Sequence, residues 1–149
     1  MGTMKAGLYD GEGAMQLADV ARPKPGPGDI VARVRSTGVC GSDLLNYHQN
    51  TTPETLPAGH EVAGEIAEVG EGVDPGLVGR RVAIDNVGHG RACGSCWYCR
   101  SGQYVQCTDQ APPEGGGYAE FIKRRAWGCY TVPDSLSWEE TALVEPLAV

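Results

Sequence analysis

The chain contains no run approaching eighteen consecutive apolar residues, so nothing in it reads as a membrane-spanning helix. It has no excess of positive charge to offer a polyanion: twelve Lys and Arg stand against nineteen Asp and Glu, a formal charge of −7, which argues against nucleic acid as a partner. Met1 to Val20 shows no basic segment followed by an apolar one, so a secretory leader and an oxidising compartment are not expected. No G-x-G-x-x-G stands between a strand and a helix. Gly70-Glu-Gly72 is followed by Pro75 where the third glycine belongs, and Gly115-Gly-Gly117 reads as a turn. A dinucleotide-binding fold is therefore not expected within these 149 residues, which amount to one domain.

What is present in concentrated form is cysteine. Four of the six fall between Cys93 and Cys107 in the spacing C-x2-C-x2-C-x7-C, on a lobe of about residues 91–109. Thiolates at such intervals fold back to the corners of a tetrahedron about 2.3 Å from Zn²⁺ and close it, the arrangement of a structural site. A ferredoxin-type run would close with three intervening residues and a proline, whereas this one closes with seven and Thr108. The lobe carries only Arg91 and Arg100 as cations, which sets it apart from a nucleic-acid-binding zinc ribbon. Cysteine used for metal rather than for disulfides fits a reducing cytoplasm. Cys129 is left over and reads as a small buried apolar residue.

Strand signals dominate the rest. Met4 to Tyr9 and Met15 to Val20 pair across Asp10-Gly-Glu-Gly13, and Arg22-Pro-Lys-Pro-Gly-Pro-Gly-Asp29 is a turn, since its prolines fix φ and remove donors. Ile30 to Ser36, Glu61 to Val69, Arg81 to Ile84 and Tyr118 to Lys123 follow as strands, and Cys40 to Tyr47 as a short helix. Ser137 with Glu140 three residues on is a capping box, the one helix start signal, for Ser137 to Leu143. The expected architecture is mainly β, a small barrel with a zinc-pinned excursion and few short helices.

Outside the lobe stand metal-capable residues at wide spacing: Cys40, the pair His60-Glu61, and Glu145. A lone His or Glu is ordinarily a hydrogen-bonded or solvated residue. A mixed Cys/His/Glu set that leaves one position open is the composition of a catalytic zinc.

The motifs Gly38-Val-Cys-Gly-Ser-Asp43, Gly59-His-Glu-x-x-Gly64, the cysteine lobe, Gly116-Gly-Tyr-Ala-Glu120 and Glu145-Pro-Leu-Ala148 occur in this order. In that order they resemble the catalytic domain of zinc-dependent medium-chain alcohol and polyol dehydrogenases, on the sorbitol and threonine side of the family. The resemblance implies a GroES-like β-barrel over residues 1–149. It implies a catalytic zinc on Cys40, His60 and one or both of Glu61 and Glu145, and a structural zinc on Cys93, Cys96, Cys99 and Cys107, two per chain. Ser42 is implied as the first proton acceptor from an alcohol or polyol; its other reading, an N-cap, is compatible with that role. NAD or NADP would be held by a Rossmann domain missing from this chain, which is expected to be the catalytic portion of a longer enzyme, inactive alone and able to self-associate as a homo-oligomer. The alternative is a stand-alone zinc-binding GroES-like interaction module. Three positions depart from the family pattern. Leu45 replaces a relay histidine for which His48 is a nearby substitute, Arg80 replaces a turn aspartate, and His89 is an extra residue read as solvent-exposed.

Overall fold

The computed structural model describes residues 2–49, 53–86 and 88–148. Met1 and Val149, the two ends of the expected domain, lie outside them.

The chain opens with a hairpin. Strands β1 (Thr3–Tyr9) and β2 (Met15–Ala21) pair antiparallel from Thr3↔Ala21 to Tyr9↔Met15. The turn is set by Asp10, whose Oδ1 accepts the N–H of Glu12 at 2.8 Å and of Ala14 at 3.0 Å. These bonds stabilise the carboxylate and hold Asp10 below the usual range for an aspartate. After the proline-rich turn come β3 (Asp29–Thr37), β4 (Glu61–Val69), β5 (Arg81–Asp85), β6 (Phe121–Arg125) and β7 (Cys129–Thr131). They form one sheet in the order β6-β3-β4-β5-β7. Every pairing among the described residues is antiparallel, so none of them builds the parallel βαβ unit of a dinucleotide fold.

One face of the sheet buries Ile30, Ala32, Val62, Ile66, Val82, Ile84 and Ile122. A fully buried side chain of this size contributes about 1.5–3 kcal/mol through the hydrophobic effect. In β3 the strict alternation read from the sequence is broken, because Val31 is buried beside Ile30 and Ala32. The pairing of β3 with β4 slips between Val31 and Ala32 and again between Val34 and Ser36, and such irregularities re-aim side chains. The strand expected over Tyr118 to Lys123 is displaced to Phe121–Arg125. Residues ahead of it are engaged elsewhere: Ala119 bridges Ala6, and Gly7 N–H donates to Tyr118 O at 2.7 Å.

The helices are short. Helix α1 (Gly41–Gln49) follows β3, α2 (Trp97–Arg100) lies in the cysteine lobe, and α3 (Trp138–Ala142) runs into α4 (Val144–Leu147). The capping box is present as expected. Ser137 Oγ accepts from Glu140 N at 3.0 Å and Glu140 Oε2 accepts from Ser137 N at 2.7 Å. Trp138 then packs under the Arg81 guanidinium, 3.7 Å from the ring centroid. Helices α3 and α4 are thereby fixed against the sheet beside β4 and β5.

Candidate metal centres

Four thiols meet in the lobe. The Sγ atoms of Cys93 and Cys99 are 3.9 Å apart, those of Cys96 and Cys99 3.5 Å, and those of Cys96 and Cys107 3.9 Å. A tetrahedron with metal–sulfur bonds of about 2.3 Å has edges of about 3.8 Å, so the spacing fits zinc, whereas a disulfide would need about 2.05 Å. All six cysteines are free. The chain also supplies donors to the sulfurs. The N–H groups of Cys96 and Asp109 approach Cys93 Sγ and Cys107 Sγ at 3.4 Å, and the Ser95 hydroxyl reaches Cys93 Sγ at 3.4 Å. The backbone N–H groups of Cys99 and Thr108 bring the Cys96 thiol down to about 6, while burial pushes Cys99 up to about 12. Four cysteines, Cys99 buried and the others partly so, thus face each other, and a cation is what lets all four be thiolates together.

The second cluster is assembled from the ends of elements. Cys40 precedes α1, and His60 precedes β4, which Glu61 begins; their ligand atoms lie within 4.8 Å of one another. Glu61 is only 8% exposed, and among the described residues no ion pair reaches it. Buried carboxylates are stable when paired or bound to a cation, so the donor set fits a metal. Room for this carboxylate is made by Gly38: a Cβ there would stand 1.8 Å from Glu61 Oε2.

The surrounding groups hold the cluster in place. Asp43, 4% exposed, accepts the N–H of Cys40 at 3.0 Å and the hydroxyl of Tyr118 at 3.0 Å through Oδ2, and presents Oδ1 to His60 Nδ1 at 3.9 Å. A carboxylate on the Nδ1 side leaves Nε2 as the nitrogen for a metal. Burial and the bond to Asp43 push the Tyr118 hydroxyl above the ordinary tyrosine range, so it stays a donor. Gly59 takes φ +88°, a left-handed value that suits glycine, and its Cβ position is filled by the Tyr118 ring at 2.9 Å. Its carbonyl is held by Asn86 Nδ2 at 2.9 Å, which fixes the backbone just ahead of His60.

Of the residues singled out in the sequence, Cys40, His60 and Glu61 come together, and so do Cys93, Cys96, Cys99 and Cys107. Glu145 stands outside the three-residue group, on α4, lining with His60 a cavity of about 720 Å³. Burial raises its carboxyl, and the nearby His60 works in the opposite direction. Ser42 is exposed and is the second residue of α1, which begins at Gly41, so it lies inside the helix and does not cap it. His48 and Leu45 are exposed on the same helix. His89 is not solvent-exposed as the sequence suggested. It is enclosed by the rings of Trp127 at 4.8 Å and Tyr130 at 5.8 Å and by Tyr104, with Nδ1 against the Tyr130 hydroxyl. Those three aromatics lie 15 to 41 positions away in the chain, which is why no local pattern announces the enclosure. The supporting roles of Asp43, Tyr118 and Gly38 were equally missed, although all three lie inside motifs that had been singled out.

Fold and clusters together define a class: a mainly β domain in which one closed four-thiol set and one mixed Cys/His/Glu set are mounted on an antiparallel sheet. The chain belongs to the family described as the alcohol dehydrogenase GroES-like domain, whose model matches residues 26–134. It is 36% identical over 156 residues to sorbitol dehydrogenase of Bacillus subtilis, covering 98% of this chain and 43% of that protein. It is 37% identical over 142 residues to L-threonine 3-dehydrogenase of Pyrococcus horikoshii, covering 89% and 39%. Among solved structures it superposes on galactitol-1-phosphate dehydrogenase from Escherichia coli with a TM-score of 0.81 at 30% identity, covering 97% of this chain and 42% of that one. The chain thus spans about two fifths of the length of the relatives it matches.

Proposed function

We propose that this chain is the zinc-holding catalytic domain, residues 1–149, of an NAD(P)-linked alcohol or polyol dehydrogenase. The observation that carries the reading is the Cys40, His60, Glu61 group, with a buried carboxylate that no cation among the described residues neutralises. Bound there, zinc would supply Lewis-acid polarisation of an alcohol oxygen. The chain's own residues do the rest. Cys40, His60 and Glu61 would hold the ion, with Glu145 at the edge of the adjoining cavity as a further carboxylate donor. Asp43 orients His60 and is itself fixed by Tyr118. Ser42, exposed beside Cys40, would take the substrate proton toward solvent. Cys93, Cys96, Cys99 and Cys107 would hold the second, structural zinc.

A nicotinamide would be the hydride acceptor, supplied by a cofactor domain not formed by the described residues. The names of the relatives are those of dehydrogenases, which does not favour the interaction-module reading. A cytoplasmic setting is supported by six free thiols. The small-molecule substrate, rather than nucleic acid, is supported by the net charge of −7, and no helix of the described residues is long and apolar enough to cross a membrane. Exposed Leu143 and Leu147 supply an apolar edge through which copies would associate.

The test is fusion. Alone, the chain should give no NAD(P)-dependent polyol oxidation, since losing proximity costs about 7–11 kcal/mol of barrier. Joined to a compatible nicotinamide-binding domain it should gain turnover that Cys40→Ser or His60→Ala abolishes. Equal turnover in the fused protein with and without these substitutions would remove the assignment.

A further inference from the structure

The cavity of about 720 Å³ that opens on His60 and Glu145 is walled in part by the thiol lobe. Residues 102–106 line it, and they are the last five of the seven residues between Cys99 and Cys107. Asp85, His89 and Tyr130 line the same cavity. One metal set thus brackets a surface of the cavity that adjoins the other.

The lobe has little apolar packing of its own with which to hold that surface. Helix α2 buries only Cys99, the single 3-10 turn Tyr104–Gln106 buries nothing, and Trp97 and Val105 are 69% and 66% exposed. The backbone bonds of the segment are local. Gly102 N–H donates to Cys99 O at 3.1 Å, Gln103 N–H to Tyr98 O at 2.8 Å and Cys107 N–H to Tyr104 O at 3.0 Å, so each involves a thiol residue or its neighbour. A segment with few buried apolar contacts takes its order from its ends, and metal on the thiols fixes both ends here.

Tyr104 is where the segment meets the rest of the domain. Its ring stands edge-on to His89 and 5.5 Å from Trp127, which lies between β6 and β7. His89 is in turn anchored to β5, because Asp85 accepts the N–H of Gly88 at 2.7 Å and of His89 at 2.9 Å. The contact is ring to ring, which a phenylalanine would keep.

We propose that metal held by Cys93, Cys96, Cys99 and Cys107 sets one wall of the cavity at His60, with Tyr104 as the positioning residue that seats residues 102–106 against His89 and Trp127. The lobe is then part of the catalytic cavity as well as a clamp on the fold, and emptying it opens the cavity on one side. The proposal deepens the reading of Cys40, His60 and Glu61 as a metal centre and rests on that reading only for the consequence at His60.

The test has two arms. The first is titration of zinc-free His60→Ala protein with zinc, followed by NMR of the histidine rings. The thiols are the set left intact in this variant, so His89 should acquire the ring-current shift of Tyr104 and Trp127 as zinc is taken up, while His48 stays unchanged. Adding Cys99→Ser and Cys107→Ser should abolish the step. A His89 ring already at its shifted position without zinc, or the same step without the two thiols, would overturn the proposal. The second arm uses the zinc-loaded chain. Tyr104→Ala should keep the zinc of the lobe and yield that of the mixed centre to phenanthroline about tenfold faster than the wild type, the scale of lost aromatic contacts, while Tyr104→Phe keeps the wild-type rate. Equal rates in the wild type and Tyr104→Ala would equally overturn it. Should zinc removal unfold the sheet as well, seen as loss of the dispersed Val62 and Val82 methyl signals, the Tyr104→Ala comparison decides. A wild-type chain with a single zinc marks failure of the catalytic reading instead, and the His60→Ala titration then decides.

Discussion

Gly38 and Glu61 act as one unit at the mixed centre. An alanine at position 38 would set its Cβ 1.8 Å from Glu61 Oε2, so the carboxylate must leave its place. Gly38→Ala should cost about 1–3 kcal/mol of stability and lower zinc occupancy of this centre while leaving the cysteine lobe filled, as read by thermal unfolding and elemental analysis. Wild-type occupancy in the variant would show that Glu61 does not need this space. Asp43→Asn keeps the shape and removes the charge facing His60, so zinc affinity at the mixed centre should fall about 10–100-fold in a competition with a chelating dye. Burial pushes the Cys129 thiol up to about 12, and its Sγ lies 3.5 Å from Arg125 O as a donor. Alkylation of Cys129 at pH 8 should accordingly be slow in the native chain and fast in urea; equal rates would contradict its enclosure. At this scale the ligand types were legible, because Cys, His and Glu carry their chemistry in their names. Their partners were not: Asp43 is joined to Tyr118 across 75 positions and His89 to Tyr130 across 41, and no local window holds such a pair.

Elements with strong local signals emerged where the sequence placed them. Strand β4 runs from Glu61 to Val69 as read, and α3 starts at Trp138, directly after its cap Ser137. Ser137→Ala removes the acceptor for Glu140 N and should destabilise the domain by about 0.5–2 kcal/mol, measurable as a lowered melting temperature. Because α3 and α4 lie against β4 and β5, some loss of metal at the mixed centre should accompany it; unchanged stability would mean the helix is held by Trp138 alone. Short elements were illegible for a physical reason. Strand β7 has three residues and α2 and α4 four each, lengths at which pairing with a neighbour, rather than propensity, decides the structure. Tertiary pairing likewise displaced β6, since Ala119 is taken by the hairpin through Ala6 before the strand begins.

For the molecule as a whole, the two clusters that could hold a metal are differently placed, one on the lobe between β5 and β6 and one at the start of α1 and β4. The thiol lobe joins residues that would otherwise form a loop, so Cys96→Ser should cost several kcal/mol of folding stability by uncoupling metal binding from folding. The mixed set hangs from the ends of β3, α1 and β4 and borders open cavities, the placement expected of chemistry rather than of support. The mainly β architecture, the lobe and the family were legible because the motifs are many and ordered. Zinc stoichiometry by elemental analysis of chelator-free protein, wild type beside His60→Ala, tests the central claim most directly. The wild-type chain should hold close to two zinc ions and the variant close to one, retained by the four cysteines. One zinc in the wild type, or the same content in both proteins, would contradict a metal centre built on Cys40, His60 and Glu61.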